Sequence, residues 1–235
     1  MALLKVRLGF YSYMIITWYG HSCFKIQTRD SGEEVVIYID PFDKSIGLRP
    51  PFGQGHIVLS THEHYDHNNI KTIKGEPFVI EGPGEYEVKG IRIRGILAYH
   101  DSKLGQERGL NTIYVIESEE MRICHLGDLG QSLLSEEQLE ALDGVDILMI
   151  PVGGIFTISA EQAPKIINQI EPAIVIPMHY KVPKLNIKKL DGIDRFLKVM
   201  GEGKITPQDK LVIKKKELPS EEAKVIILKL TGSSE

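Results

Sequence analysis

Three imidazoles and a carboxylate fall within six consecutive residues, His62-x-His64-x-Asp66-His67, inside Ser60-Thr61-His62-Glu63-His64-Tyr65-Asp66-His67. Neutral imidazole and carboxylate are the ordinary donors to zinc and its neighbours, so this spacing points to divalent metal chemistry. A structural hydrogen-bonded cluster is the competing reading, and histidine and aspartate at ligand spacing argue against it. The apolar run Ile57-Val58-Leu59 leads into the motif and reads as a buried strand that ends in a polar loop. On an extended strand end, His62 and His64 project to the same side, while Asp66 and His67 lie past the turn and can face elsewhere. Two ions side by side suit that arrangement better than one.

The elements around the motif follow from periodicity. Met14 to Trp18 and Phe24 to Thr28 read as a strand pair around the turn Gly20-His21-Ser22-Cys23. Val35 to Ile39 is an apolar strand ending at Asp40-Pro41, and 47–55 is a Pro- and Gly-rich loop. Pro77 to Ile80, Ile91 to Tyr99, Asn111 to Ile116, Met121 to Leu126, Asp146 to Ile150 and Ala173 to Ile176 continue the strand series. His100, His125, Asp128 and His179 all stand at or just past the ends of these strands. Capping boxes at Ser135-Glu136-Glu137-Gln138 and Ser159-Ala160-Glu161-Gln162 open helices to Leu142 and about Ile170, with Pro164 in the first turns of the second. Asp191 to Met200 reads as a third helix. Lys210 to Lys214 and Lys224 to Leu230 read as a terminal strand pair. Many strands and few helices predict an α/β fold of the αββα type: two mixed sheets packed face to face with helices outside.

The 235 residues, 42% of them hydrophobic, can bury one sizeable core. We expect one domain over 14–235, with 1–13 an extension or added strand, because the first strand begins at Met14. A net charge of −4 gives no basic footprint for nucleic acid, and no run reaches the ~20 apolar residues of a membrane span. Lys5 and Arg7 before an apolar stretch mimic a signal peptide, but Tyr11, Ser12 and Tyr13 break that stretch and no small-x-small cleavage site follows. Cys23 and Cys124 form no CxxC and no disulfide framework, which fits a reducing cytoplasm. A homo-oligomer is left open.

The motif His62-x-His64-x-Asp66-His67 resembles the signature of the metallo-β-lactamase superfamily. Gly20-His21-Ser22, Asp40-Pro41, Arg108-Gly109-Leu110-Asn111, Pro151-Val152-Gly153-Gly154 and Pro177-Met178-His179-Tyr180 resemble its short stand-alone branch, which is similar to ascorbate-6-phosphate-lactonase-like hydrolases. The resemblance implies His62, His64 and His100 on one ion, Asp66, His67 and His179 on the other, and Asp128 bridging the two. Asp66 and Asp128 are then the catalytic carboxylates. It places His21 and Asp40 near the metals as supporting residues, and a turn-stabilising side chain is the competing reading of each. His125 competes with His100, and its better reading is a strand histidine that hydrogen-bonds a neighbour. The chain has no room for the large insertion of the nuclease branch, and it carries His64 where the flavodiiron branch usually has Glu.

Two divalent ions, zinc or alternatively manganese or iron, would lower the pKa of a shared water and yield a metal-bound hydroxide for hydrolysis. The expected function is a metal-dependent hydrolase acting on a small, anionic ester, lactone or phosphodiester, with Arg108 and Lys181 as candidate supporting cations. The alternative is a metal-binding sensor or interaction module without turnover.

Overall fold

A computed structural model describes residues 13–231. The expectation that residues 1–13 form an extension falls, apart from Tyr13, outside the described residues. Strand β1 (Met14–Gly20), β2 (Cys23–Asp30) and β3 (Glu33–Ile39) form an antiparallel meander. The chain then makes β4 (Gly53–Gln54), β5 (Ile57–Leu59), β6 (Ile73–Lys74) and β7 (Phe78–Ile80). Next come β8 (Gly84–Val88), β9 (Ile91–Tyr99), β10 (Leu110–Ser118) and β11 (Met121–His125), all antiparallel neighbours. The last stretch alternates: α1 (Glu136–Leu142), β12 (Ile147–Pro151), α2 (Ala163–Ile170), β13 (Ile174–Met178), α3 (Ile193–Val199), β14 (Leu211–Ile213) and β15 (Lys224–Val225).

These strands build two mixed sheets in the orders β14-β1-β2-β3-β5-β7 and β15-β13-β12-β11-β10-β9-β8, with β4 and β6 pairing separately. One apolar core joins the sheets. It includes Ile16, Phe24 and Ile37 from the first and Ile113, Val115 and Ile123 from the second. Polar contacts also cross it: Thr28 Oγ1 lies 2.6 Å from Ser118 Oγ, and the Tyr114 hydroxyl donates to the Ser60 carbonyl at 2.9 Å. β12 and β13 are buried along their whole length, as strands covered on both faces should be. In α2, Ala163, Ile166, Ile167 and Ile170 are buried, the spacing of an apolar helix stripe. Among the described residues, no helix is long and apolar enough to cross a membrane.

Two local expectations change, and one strand went unread. The segments near 211 and 224 do not pair with each other. β14 pairs antiparallel with β1, and β15 pairs parallel with β13, so each covers the edge of a different sheet. The second capping box opens its helix late: α2 starts at Ala163, and although Gln162 Oε1 accepts from the Ser159 N–H at 2.9 Å, Pro164 sits in the first turn. β8 escapes the apolar-run criterion because it is an edge strand with exposed Glu85 and Glu87.

The strand ends determine where the polar residues gather. β3 and β5 run parallel in one sheet and β11, β12 and β13 in the other. Their carboxyl ends carry Asp40, the 60–67 loop, Asp128 and His179 to one rim, where parallel strands ordinarily place ligand sites.

Candidate metal centre

Each polar side chain of the rim is delivered by a strand end. His21 occupies the turn between β1 and β2. Asp40 follows β3, His62 to His67 follow β5, His100 follows β9, Asp128 follows β11 and His179 follows β13. His21, Asp40 and His179 have positive φ values of 53°, 49° and 52°. Non-glycine residues there cost on the order of 1–3 kcal/mol each, and such strain persists where surrounding structure fixes it. Two glycines make the crowding possible. A Cβ on Gly127 would meet Asn111 Oδ1 at 2.2 Å, and one on Gly153 would meet the His179 carbonyl oxygen at 2.1 Å.

The side chains converge in three overlapping groups whose donor atoms lie within 4.8 Å of one another: His62, His64 and His100; His62, His67 and Asp128; and His21, His67 and His179. His62 Nε2 is 3.0 Å from His64 Nδ1. Asp128 Oδ2 lies 3.3 Å from His67 Nε2, 3.4 Å from His100 Nε2 and 3.2 Å from His179 Nε2. Asp66 Oδ2 is 3.2 Å from His21 Nε2 and 3.9 Å from His67 Nε2. Donors on a tetrahedral ion with bonds of 2.0–2.1 Å stand about 3.3 Å apart, so most of these separations fit the edges of a metal polyhedron. The donor set therefore fits divalent ions on the chain's own geometry.

The surrounding hydrogen bonds set which nitrogens face inward. Asp40, fully buried, accepts from the Thr61 N–H at 2.8 Å through Oδ1 and from the Thr61 hydroxyl at 2.8 Å through Oδ2. His67 Nδ1 is 2.9 Å from the same Oδ2 and donates to it, which leaves His67 Nε2 facing the cluster. Thr61 Oγ1, having given its proton to Asp40, accepts from His62 Nδ1 at 3.0 Å and turns His62 Nε2 inward. The Asp128 loop is held by Asn111, which accepts from the Asp128 N–H and donates to the Leu126 carbonyl, both at 2.9 Å. The loop after His100 is organised by Asp101, whose carboxylate accepts four backbone N–H groups between Lys103 and Arg108. Burial opposes ionisation of Asp101, but those four donors bring its pKa down to about 2.

Charge follows the same wiring. Burial alone would depress His67, yet the Asp128 and Asp40 carboxylates outweigh it and hold the metal-free imidazolium well above its ordinary range. Burial likewise works against the Asp128 carboxylate, and His179 and His67 overcome it and hold its pKa well down. Burial and the neighbouring imidazole of His67 push His62 down to about 3; burial and His179 push His21 down to about 4. Both are neutral at pH 7 and available as nitrogen donors.

His125 and His100 part company. His125 accepts from the Gly127 N–H through Nδ1 at 3.1 Å and donates from Nε2 to the Ser22 carbonyl at 2.8 Å, so both its nitrogens are committed. His100 turns Nε2 to Asp128. His21, expected beside the ligands, presents Nε2 at 3.0 Å from His67 Nε2. Thr61 and Asp101 carried no chemical signal of their own in the sequence, and Asn111 entered only as part of the resembling segment Arg108-Gly109-Leu110-Asn111. Their positions, adjacent to a ligand candidate or opposite one across a strand pair, were the only other cue.

A protein-family model described as a beta-lactamase superfamily domain matches residues 15–179. The chain belongs to the metallo-β-lactamase superfamily. A UPF0173 metal-dependent hydrolase of Thermoplasma acidophilum is 29% identical over 190 residues, spanning 70% of this chain and 82% of that protein. A UPF0173 protein of Pyrococcus abyssi is 32% identical over 192 residues, spanning 71% and 83%. Among solved structures, a candidate Zn-dependent hydrolase of the superfamily from Thermotoga maritima is 33% identical with a TM-score of 0.71, over 92% of this chain and 98% of that one. This superfamily member is accordingly a metal-dependent hydrolase whose His/Asp cluster can bind metal, and the two-sheet fold read from the sequence is the fold of its relatives.

Proposed function

We propose that the chain holds two divalent ions, zinc by preference, and hydrolyses a small anionic ester, lactone or phosphodiester. His62, His64 and His100 would hold one ion, Asp66, His67 and His179 the other, with Asp128 between them. The observation that carries this reading is the position of Asp128 Oδ2, one oxygen within 3.4 Å of histidines from both groups. When bound, two such ions lower the pKa of a water between them and neutralise the charge that develops on the substrate oxygen. The chain's own residues do the positioning. Asp40 and Thr61 fix the rings of His67 and His62, and the exposed His64 marks the side from which substrate enters.

Two dications bring +4 and the Asp66 and Asp128 carboxylates return −2. A hydroxide between the ions would return another −1, so the ions with their own ligands would stand at about +1, while Asp40 lies behind His67, 2.9 Å from its Nδ1 and farther from an incoming substrate. The sign of that excess draws anions. Arg108 lies over the Phe156 ring at 5.6 Å, which steadies the guanidinium as a candidate partner for a substrate anion. The experiment is a hydrolysis screen of the metal-loaded protein with matched anionic and neutral esters, lactones and phosphodiesters at low and high salt. Anionic compounds turned over faster at low salt support the proposal. Equal rates refute the charge preference, and no turnover of any compound leaves a metal-binding module instead.

A further inference from the structure

His21 departs from the role of a supporting residue in four respects. Its ring is fully buried between two candidate ligands, with centroids 4.7 Å from His67 and 4.2 Å from His179. Its backbone is held at positive φ by two donors on its carbonyl, Trp18 Nε1 and the His179 N–H, each at 3.0 Å. Its Nε2 points at the same space as His67 Nε2 and Asp66 Oδ2, 3.0 and 3.2 Å away. Its Nδ1 is buried without a hydrogen-bond partner. Among the described residues, the histidine nitrogens in that last condition belong to His21, His100 and His179. The other two are candidate ligands. His125, which faces away from the cluster, has both nitrogens satisfied.

The contacts of His21 have the spacing of donors that share one ion. Its Nε2 stands 3.0 Å from His67 Nε2 and 3.2 Å from Asp66 Oδ2, close to the ~3.3 Å that separates donors on a tetrahedral ion. Together with His67 and His179 it forms one of the three groups whose donor atoms lie within 4.8 Å of one another.

Resting on the proposed two-ion centre, we propose that His21 is a direct ligand of the second ion, beside Asp66, His67, His179 and Asp128. The two ions are then unequal. His62, His64, His100 and Asp128 offer a four-donor set of the kind zinc favours, whereas the His21 side offers five donors and suits ions that prefer higher coordination, such as manganese or iron.

Cobalt(II)-loaded full-length protein tests this. The ring N–H of each ligating histidine should give an exchangeable, hyperfine-shifted proton resonance. His21→Gly suits the positive φ and should fold; His21→Gln keeps a side-chain donor for Asp66. In both variants one shifted resonance should vanish. The affinity for the second ion should fall by more than about 100-fold, beyond the 10–100-fold typical of a residue that only supports ligands. Added imidazole should restore metal binding in His21→Gly. Retention of every shifted resonance, or full affinity in His21→Gln, would overturn the assignment. A wild-type protein that takes up fewer than two ions would instead refute the two-ion reading and this inference with it.

Discussion

The two halves of the proposed metal centre are built to different standards. His64, in the first group, is exposed and His62 partly so, while His21 and His67 in the second are fully buried. The second half is also wired more deeply, because His67 leans on the buried carboxylate of Asp40. Burial makes an empty site costly, since polar nitrogens then face one another without water. The first half should therefore exchange its ion readily, and the second should hold on to its own.

Asp128 lies within 3.4 Å of histidines from both proposed halves, and its loss should have the largest effect. Asp128→Ala should release both ions or abolish hydrolysis, a drop of roughly a thousandfold or more if an ion contributes several kcal/mol to the transition state. Elemental analysis together with a hydrolysis assay reads this directly; a fully active variant would refute the shared role. Next in size is the contrast itself. Under a chelator, one ion should leave much faster than the other, and His64→Ala should lose only the fast one. Equal release rates would erase the distinction between the halves.

The fold and the convergence of the candidate side chains on one rim were legible in the sequence because those residues cluster. His62 to His67 are contiguous, and His100, Asp128 and His179 each follow an apolar strand, so fold and rim could both be read. What stayed hidden depended on three-dimensional direction. Nothing in Gly20-His21-Ser22 says whether the ring turns toward or away from the other histidines; the positive φ and the Trp18 and His179 donors on its carbonyl hold the ring against His67. The role of Asp101 was equally invisible, because its four partners are backbone N–H groups of the loop it organises. The partners of β14 and β15 could not be read because two- and three-residue segments carry too little periodicity to choose a sheet.

A smaller effect should follow from Asp40→Asn. It keeps the shape but removes the charge behind His67, and should weaken metal binding about 10–100-fold, chiefly in the buried half. Titration with zinc would show whether only the tighter site moves. Smaller still is a proton count. In the metal-free chain, Asp128 and Asp40 hold the His67 imidazolium together well above the ordinary histidine range. Zinc uptake at pH 7 should therefore release about one proton from His67, and affinity should rise with pH until that proton is gone. Calorimetry in buffers of different ionisation enthalpy measures the release, and an uptake heat independent of buffer would contradict it. The least effect is expected from starting the chain at Met14, which should leave both halves folded and metal-binding; insoluble protein would tie residues 1–13 to the core.

The most direct test is an anomalous-scattering map of metal-loaded crystals. The account predicts two peaks flanking Asp128 Oδ2, about 3.5–4 Å apart, with the peak beside His67 and His179 surviving a brief chelator soak. A single peak, or peaks away from Asp128, would contradict it.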